Sequence, residues 1–210
     1  KFRPFLVKEE KILLMALETD DEKNIKNAVF ELLKSCITTR IKLENLASFD
    51  LEYIFLNIRA VSVGEMVQMN VTCQDDEETQ VTYNLNLTEV NVLFPEGHDN
   101  KIMLTDTLGV IMKYPSFDGF VQGQFTDNKE FDVVKVVAES IDQIFEGEEV
   151  YDESTTSKKE FIQFVESLTN SQLEKIQAFF ETSPRLEHSF KVKNPNTGVD
   201  SEYTLRGLQS

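Results

Sequence analysis

Cysteine is scarce in this 210-residue chain: there are two, Cys36 and Cys73, far apart. That excludes a disulfide framework and makes a reducing cytosol the simpler compartment. Histidine is equally scarce, with His98 in a Pro-Glu-Gly-His turn and His188 on an edge-like strand near the C-terminus. No known motif gives either a general-base role. No apolar run approaches the ~20 residues that span a bilayer. No secretory pattern opens the chain, which starts at Lys1 rather than at an initiator methionine. The glycines are scattered, and Gly64, Gly97 and Gly109 read as turns and element ends. No phosphate-binding loop, dinucleotide fingerprint, nucleophile elbow or His-Glu-x-x-His helix is present. No basic stripe interleaves with aromatics, which argues against nucleic-acid binding.

What is abundant is acid. The net charge is −16, and its placement is uneven. Residues 1–60 carry ten acids and ten bases, and residues 157–210 seven and seven, so the excess lies in 61–156, with twenty acids against four bases. Such a field repels nucleic acid and anionic membranes and suits a basic protein partner. The plainer reading is that acidic loops keep the protein soluble. Forty per cent apolar content and sixteen Phe indicate a folded core.

Periodicity predicts four regions. In 1–64, helices are expected at Val7–Glu18, after the Asp20-Asp21-Glu22 cluster, and from near Ser48 to a stop at Gly64. The second carries a stripe of Ile25, Ala28, Val29, Leu32 and Leu33 that ends in Cys36, a buried, inert thiol. In 65–115 the period changes to two, predicting a hairpin of Met66–Cys73 and Gln80–Leu87 around the acidic loop Gln74–Thr79. Extended segments follow at Val90–Phe94, Lys101–Leu104 and Leu108–Tyr114. In 116–183 a broad stripe of Phe131, Val134, Val137, Ala138, Ile141 and Phe145 predicts one buried helix stopped by Gly147, then a mobile loop over Glu146–Thr156. Capping-box spacings at Ser157/Glu160 and Thr169/Gln172 open two further helices. In 184–210 a second hairpin, Leu186–Val192 with Val199–Leu205, turns at Asn194–Gly198. The expected class is α+β: a mainly helical body with two β-hairpin elements.

Several segments carry no chemistry of their own but form an ordered set. They are Lys1–Lys11 (KFRPFLVKEEK), Phe49–Tyr53, Arg59–Gly64, Pro95–His98, Met112–Ser116, Ile144–Tyr151 and Leu205–Leu208. The set resembles the baseplate hub proteins and hub assembly factors of T-even-type contractile-tailed bacteriophages, over nearly the whole chain. The resemblance implies a non-enzymatic hub component or assembly chaperone that binds other hub proteins, in the host cytoplasm during assembly or in the virion baseplate. It implies no cofactor, no nucleic acid and no membrane. An acidic inhibitor or nucleic-acid mimic aimed at a host protein is the alternative.

Both hairpin turns resemble zinc-ribbon knuckles, and some members of that family carry cysteines there. Here the turns read Cys73-Gln-Asp-Asp76 and Asn194-Pro-Asn-Thr197. One thiolate cannot hold structural zinc, which needs four ligands, so the hairpins are expected to be metal-free zinc-ribbon-like elements. The residues singled out for partner binding are Tyr114, Phe117 and Phe120 around Pro115, and Asp75, Asp76, Glu77 and Glu78. The aromatics read either as interface anchors or as loop residues folded onto the core. The acids read either as a steering patch or as a solvated loop.

Overall fold

The computed structural model describes residues 1–19, 21–115 and 133–207. The chain forms two compact units: residues 1–43, 49–93 and 185–210 make the first, and residues 44–48 and 94–184 the second. Unit 1 is therefore discontinuous in sequence, and residues 94–184 of unit 2 lie between its segments along the chain.

In unit 1 the helices are α1 (Val7–Glu18), α2 (Glu22–Cys36) and α3 (Ser48–Val63). The predicted stripe on α2 is inward, with Leu33 and Cys36 fully buried and Leu32 and Ala28 nearly so. Burial raises the Cys36 thiol pKa. Helix α3 buries Leu51, Phe55 and Ile58 and ends at Gly64, whose φ of 124° suits glycine. Strands β1 (Met66–Thr72) and β2 (Gln80–Asn86) pair antiparallel. Strand β3 (Asn91–Leu93) joins β8 (Arg185–Lys193) and β9 (Asp200–Arg206) in a second sheet ordered β3-β8-β9. The two sheets share a small core: Val71 and Val81 meet Phe190, Val192 and Tyr203. Tyr83 stacks on Phe190 with ring centroids 3.9 Å apart. His188 therefore lies on the central strand of its sheet rather than on an edge.

Unit 2 holds β4 (Lys101–Met103), β5 (Leu108–Met112), β6 (Ile141–Glu146) and β7 (Glu149–Asp152) in one antiparallel sheet. Helices α4 (Val133–Glu139), α5 (Lys158–Glu166) and α6 (Asn170–Glu181) supply the rest. Val137, Ala138, Phe161, Val165, Ile176 and Phe179 pack with Val110, Met112, Ile141 and Ile144 of the sheet. Both capping boxes form as expected: Ser157 with Glu160, and Thr169 with Gln172.

The protein is not a mainly helical body with two ribbon-like hairpins. Among the described residues, six helices and nine strands in three antiparallel sheets make it about 40% helical and 29% strand. The C-terminal hairpin is part of a three-stranded sheet. The four-stranded sheet keeps the expected extended segments as β4 and β5 but also takes Ile141–Glu146, which reads as helix in sequence. The decisive misreading is at 140–152. The helix stops at Glu139, and Ile141–Glu146 is a strand. The reason is a bulge: Ile111 pairs with Gln143 but Met112 with Ile141, so Asp142 is extra. An extra residue flips the parity of a strand. Ile141 and Ile144 thus both face the core, three apart, the spacing of a helix face. Gly147, with φ 61°, is the turn between β6 and β7 rather than a helix stop. The expected loop over Glu146–Thr156 holds strand β7.

Gly109 is likewise no turn residue. It lies within β5 opposite Phe145, and a Cβ there would meet that ring at 2.4 Å. The Lys101 ammonium lies 5.0 Å from the same ring's centroid.

Candidate interaction surface

Four places in the structure carry side-chain arrangements beyond core packing. The first is the pair of hairpin turns in unit 1. Asn194, fully buried, donates from Nδ2 to both carboxylate oxygens of Asp75, at 3.0 and 3.1 Å, and to Asp76 at 2.9 Å. Its Oδ1 accepts from the backbone N–H groups of Asn196 (2.8 Å) and Thr197 (3.4 Å). Thr197 donates its hydroxyl to Asp75, and Asn196 Nδ2 donates to Thr79 at 2.9 Å. Asp76 also accepts from the Thr79 hydroxyl and backbone. These bonds favour the ionised acids. Asn194, then Thr197, lowers the Asp75 pKa, and Thr79, then Asn194, lowers that of Asp76. Cys73 beside them is buried, and burial followed by the two carboxylates raises its thiol pKa. The Asp-Asp-Glu-Glu run is thus divided: Asp75 and Asp76 tie the two turns together, while Glu77 and Glu78 are exposed. Among the described residues no group of three or more His, Cys, Asp and Glu side chains could hold a metal ion.

The second place is in unit 2. The half-buried His98 bonds through Nε2 to the Tyr114 hydroxyl at 2.9 Å and through Nδ1 to the Thr182 hydroxyl at 3.0 Å. Thr182 donates its own proton to the Ala178 carbonyl at 2.8 Å. Nδ1–H is therefore the donor to Thr182, and Nε2 accepts from Tyr114. The Tyr114 ring also stacks against Phe179 at 5.5 Å. This arrangement pins the 95–98 turn to α6. Phe117 and Phe120 lie outside the described residues.

The third is a cavity of about 240 Å³ in unit 1, lined by apolar residues together with Arg59 and His188. The fourth is α1. Of its twelve residues only Glu9 and Ala16 are buried, while Val7, Ile12, Leu14, Met15 and Leu17 are exposed, Val7 by 81%. Leu6 and Phe2 extend this apolar surface. Isolated exposed apolar residues are ordinary, but five large ones on a helix of twelve residues make it a candidate interaction surface.

What fixes α1 in place is the preceding segment. Arg3 forms a bidentate pair with Glu9, Nη2 to Oε1 at 2.6 Å and Nη1 to Oε2 at 3.1 Å. The Leu6 N–H also donates to Glu9, at 2.6 Å. Phe2 bridges to Ile37, and the Phe5 N–H donates to Ser62 at 3.0 Å.

The family model described as "T4 bacteriophage base plate protein" matches residues 1–210. The chain belongs to that family. Comparisons with curated proteins and with solved structures returned no match. As a member of that family it is a bacteriophage baseplate protein. Among the described residues no helix is long and apolar enough to cross a membrane.

Six of the seven segments that resemble baseplate hub proteins acquire physical meaning in the fold. Lys1–Lys11 contains both members of the Arg3–Glu9 pair. Pro95–His98 and Met112–Ser116 meet at the His98–Tyr114 hydrogen bond. Arg59–Gly64 and Leu205–Leu208 meet at the cavity, through Arg59, Leu205 and Gly207. Ile144–Tyr151 spans the β6–β7 hairpin. Sequence reasoning passed over Asn194 and Arg59. Arg59 carried a readable signal, since it follows Phe55 and Leu56 by four and three residues and shares their helix face.

Proposed function

We propose that this base plate protein acts by protein–protein binding alone, as a component or assembly chaperone of the central hub of the contractile tail. The observation that carries the reading is α1. A helix with five large apolar side chains in water, held rigidly by the Arg3–Glu9 pair, is a preformed docking element. Removing a surface of this kind from water contributes roughly 25 cal/mol per Å² before the losses of association. The hydrogen-bonded His98, Tyr114 and Thr182 serve architecture, so no reaction is assigned.

A subunit stays in the particle, and a chaperone leaves it. A protein inventory of purified mature virions beside purified hub intermediates separates the two. Presence in both supports a subunit, and presence in intermediates alone supports a chaperone. Normal hub assembly in phage lacking the gene would reject the hub assignment.

A further inference from the structure

The cavity in unit 1 contains the most unusual polar atom of the molecule. Arg59 Nη1 is buried and has no hydrogen-bond partner, and among the described residues no other buried side-chain nitrogen or oxygen is left in that state. Arginine stays protonated in proteins, and a buried charge without a partner is strongly unfavourable. Such a group in a native protein calls for an explanation.

Its surroundings define what would satisfy it. Beside Arg59 the cavity is lined by Phe55 and Leu56 of α3, by Val67 and Leu85, a cross-strand pair of β1 and β2, and by Leu186 and Leu205. His188, two residues after Leu186 on the same face of β8, adds a second polar group. Its Nε2 is 3.3 Å from the Tyr83 hydroxyl, which orients the ring. The cavity is thus apolar-walled, with one cationic group at its lining. That is the complement of a carboxylate carried on an apolar body. The volume of about 240 Å³ falls below the ~300–1,000 Å³ usual for free small-molecule ligands. It is the size for one or two side chains of an inserted peptide.

We infer that this cavity seats a short segment of a partner protein in which a carboxylate follows large apolar side chains, with Arg59 pairing the carboxylate. A guanidinium matches a carboxylate in a planar two-bond geometry. The inference rests on the reading of the chain as a protein-binding subunit, but not on α1.

The test uses the full chain and two capped peptides, acetyl-Leu-Phe-Glu-amide and its neutral counterpart acetyl-Leu-Phe-Gln-amide. Binding is followed by NMR through the methyl signals of Leu85, Leu186 and Leu205 and the Arg59 side-chain N–H. The Glu peptide is expected to shift these signals and to bind at least tenfold more tightly than the Gln peptide. Arg59→Met should abolish the difference between them. Val90→Phe, which fills the cavity with the guanidinium intact, should abolish binding of both and serves if Arg59→Met fails to fold. No shift with either peptide, equal binding of the two, or a preference that survives Arg59→Met would overturn the inference. Hexanoate binding more tightly than the Glu peptide at the same signals would overturn the protein-segment assignment in favour of a free aliphatic acid. None of these outcomes touches the α1 experiments, so failure here and failure of the hub reading are distinguishable.

Discussion

Arg3 grips both carboxylate oxygens of Glu9, six residues on, and so bolts α1 to the strand-like segment that precedes it. The Glu9 side chain is only 7% exposed and that of Arg3 35%. The Arg3 guanidinium, with the Leu6 N–H, holds the Glu9 carboxyl down at about 2. A depressed carboxylate pKa stabilises the fold above the ordinary carboxylate range, and the contribution is lost as pH falls towards 2. Arg3→Met should therefore lower stability at pH 7, and by less at pH 3. Denaturant melts of both proteins at the two pH values check this. A difference that is the same at both would show that the pair is not ionic in effect.

The hairpin turns give a second test. Asn194→Ala removes the donor to Asp75 and Asp76 and the acceptor for two backbone N–H groups. Asn194 is buried, but Asp75, Asn196 and Thr197 are exposed and can bond water in its place, so a loss of about 1–3 kcal/mol is expected by chemical denaturation. The lowered Asp75 and Asp76 pKa values have the same sign as that of Glu9: their support is present above the ordinary Asp range and fades below it. A wild-type melt for Asn194→Ala would mean that water replaces the amide without penalty.

Within the acidic loop, the two halves should behave differently. Glu77→Gln with Glu78→Gln should leave the melting temperature nearly unchanged, because both are exposed. If the loop steers a basic partner, the association rate falls at low salt, and the effect shrinks as salt rises. Asp75→Asn with Asp76→Asn should instead lower stability. Calorimetry beside stopped-flow association separates the pairs.

Gly109→Ala is expected to destabilise unit 2 by about 1–3 kcal/mol, since the new methyl meets Phe145 and the Ile102 carbonyl. Adding Phe145→Ala should recover part of that loss, through a double-mutant coupling. Strict additivity of the two would show that the ring moves aside freely.

Charges on α1 should separate folding from docking. Leu14→Lys with Met15→Lys changes residues that are 53% and 57% exposed, so stability should move by no more than ~0.5 kcal/mol. Co-purification of hub proteins from infected cells should drop sharply. Unchanged co-purification would move the docking role away from this helix.

Much of the fold was legible because local signals agreed with tertiary structure. The Ser157 and Thr169 capping boxes, the α2 stripe ending in Cys36, and the alternation of Val81, Tyr83 and Leu85 each appear where their pattern places them. Strand β6 was illegible for a physical reason: the extra Asp142 gives Ile141 and Ile144 helical spacing. The site residues were harder. Asp75 and Asp76 were visible as acids, but their partner Asn194 is 119 and 118 residues away, and only folding brings the turns together. The Arg59 cavity draws on α3, both strands of the first hairpin, β8 and β9, so no linear pattern announces the cavity as a whole.

The discontinuity of unit 1 sets an order of events during synthesis. Strand β3 ends at Leu93, and its partner on β8 is Arg185. A ribosome adding ~5–20 residues per second needs on the order of 5–20 s to deliver those roughly 90 intervening residues. Residues 94–184, the bulk of unit 2, emerge in that interval. The nascent chain thus carries an unzipped edge while its inner portion can already settle, and β8 and β9, which follow that portion, close the first unit. A chain cut short before β8 is left with β3 unpaired, the Arg59 cavity without Leu186, His188 and Leu205, and no Asn194 to join the turns.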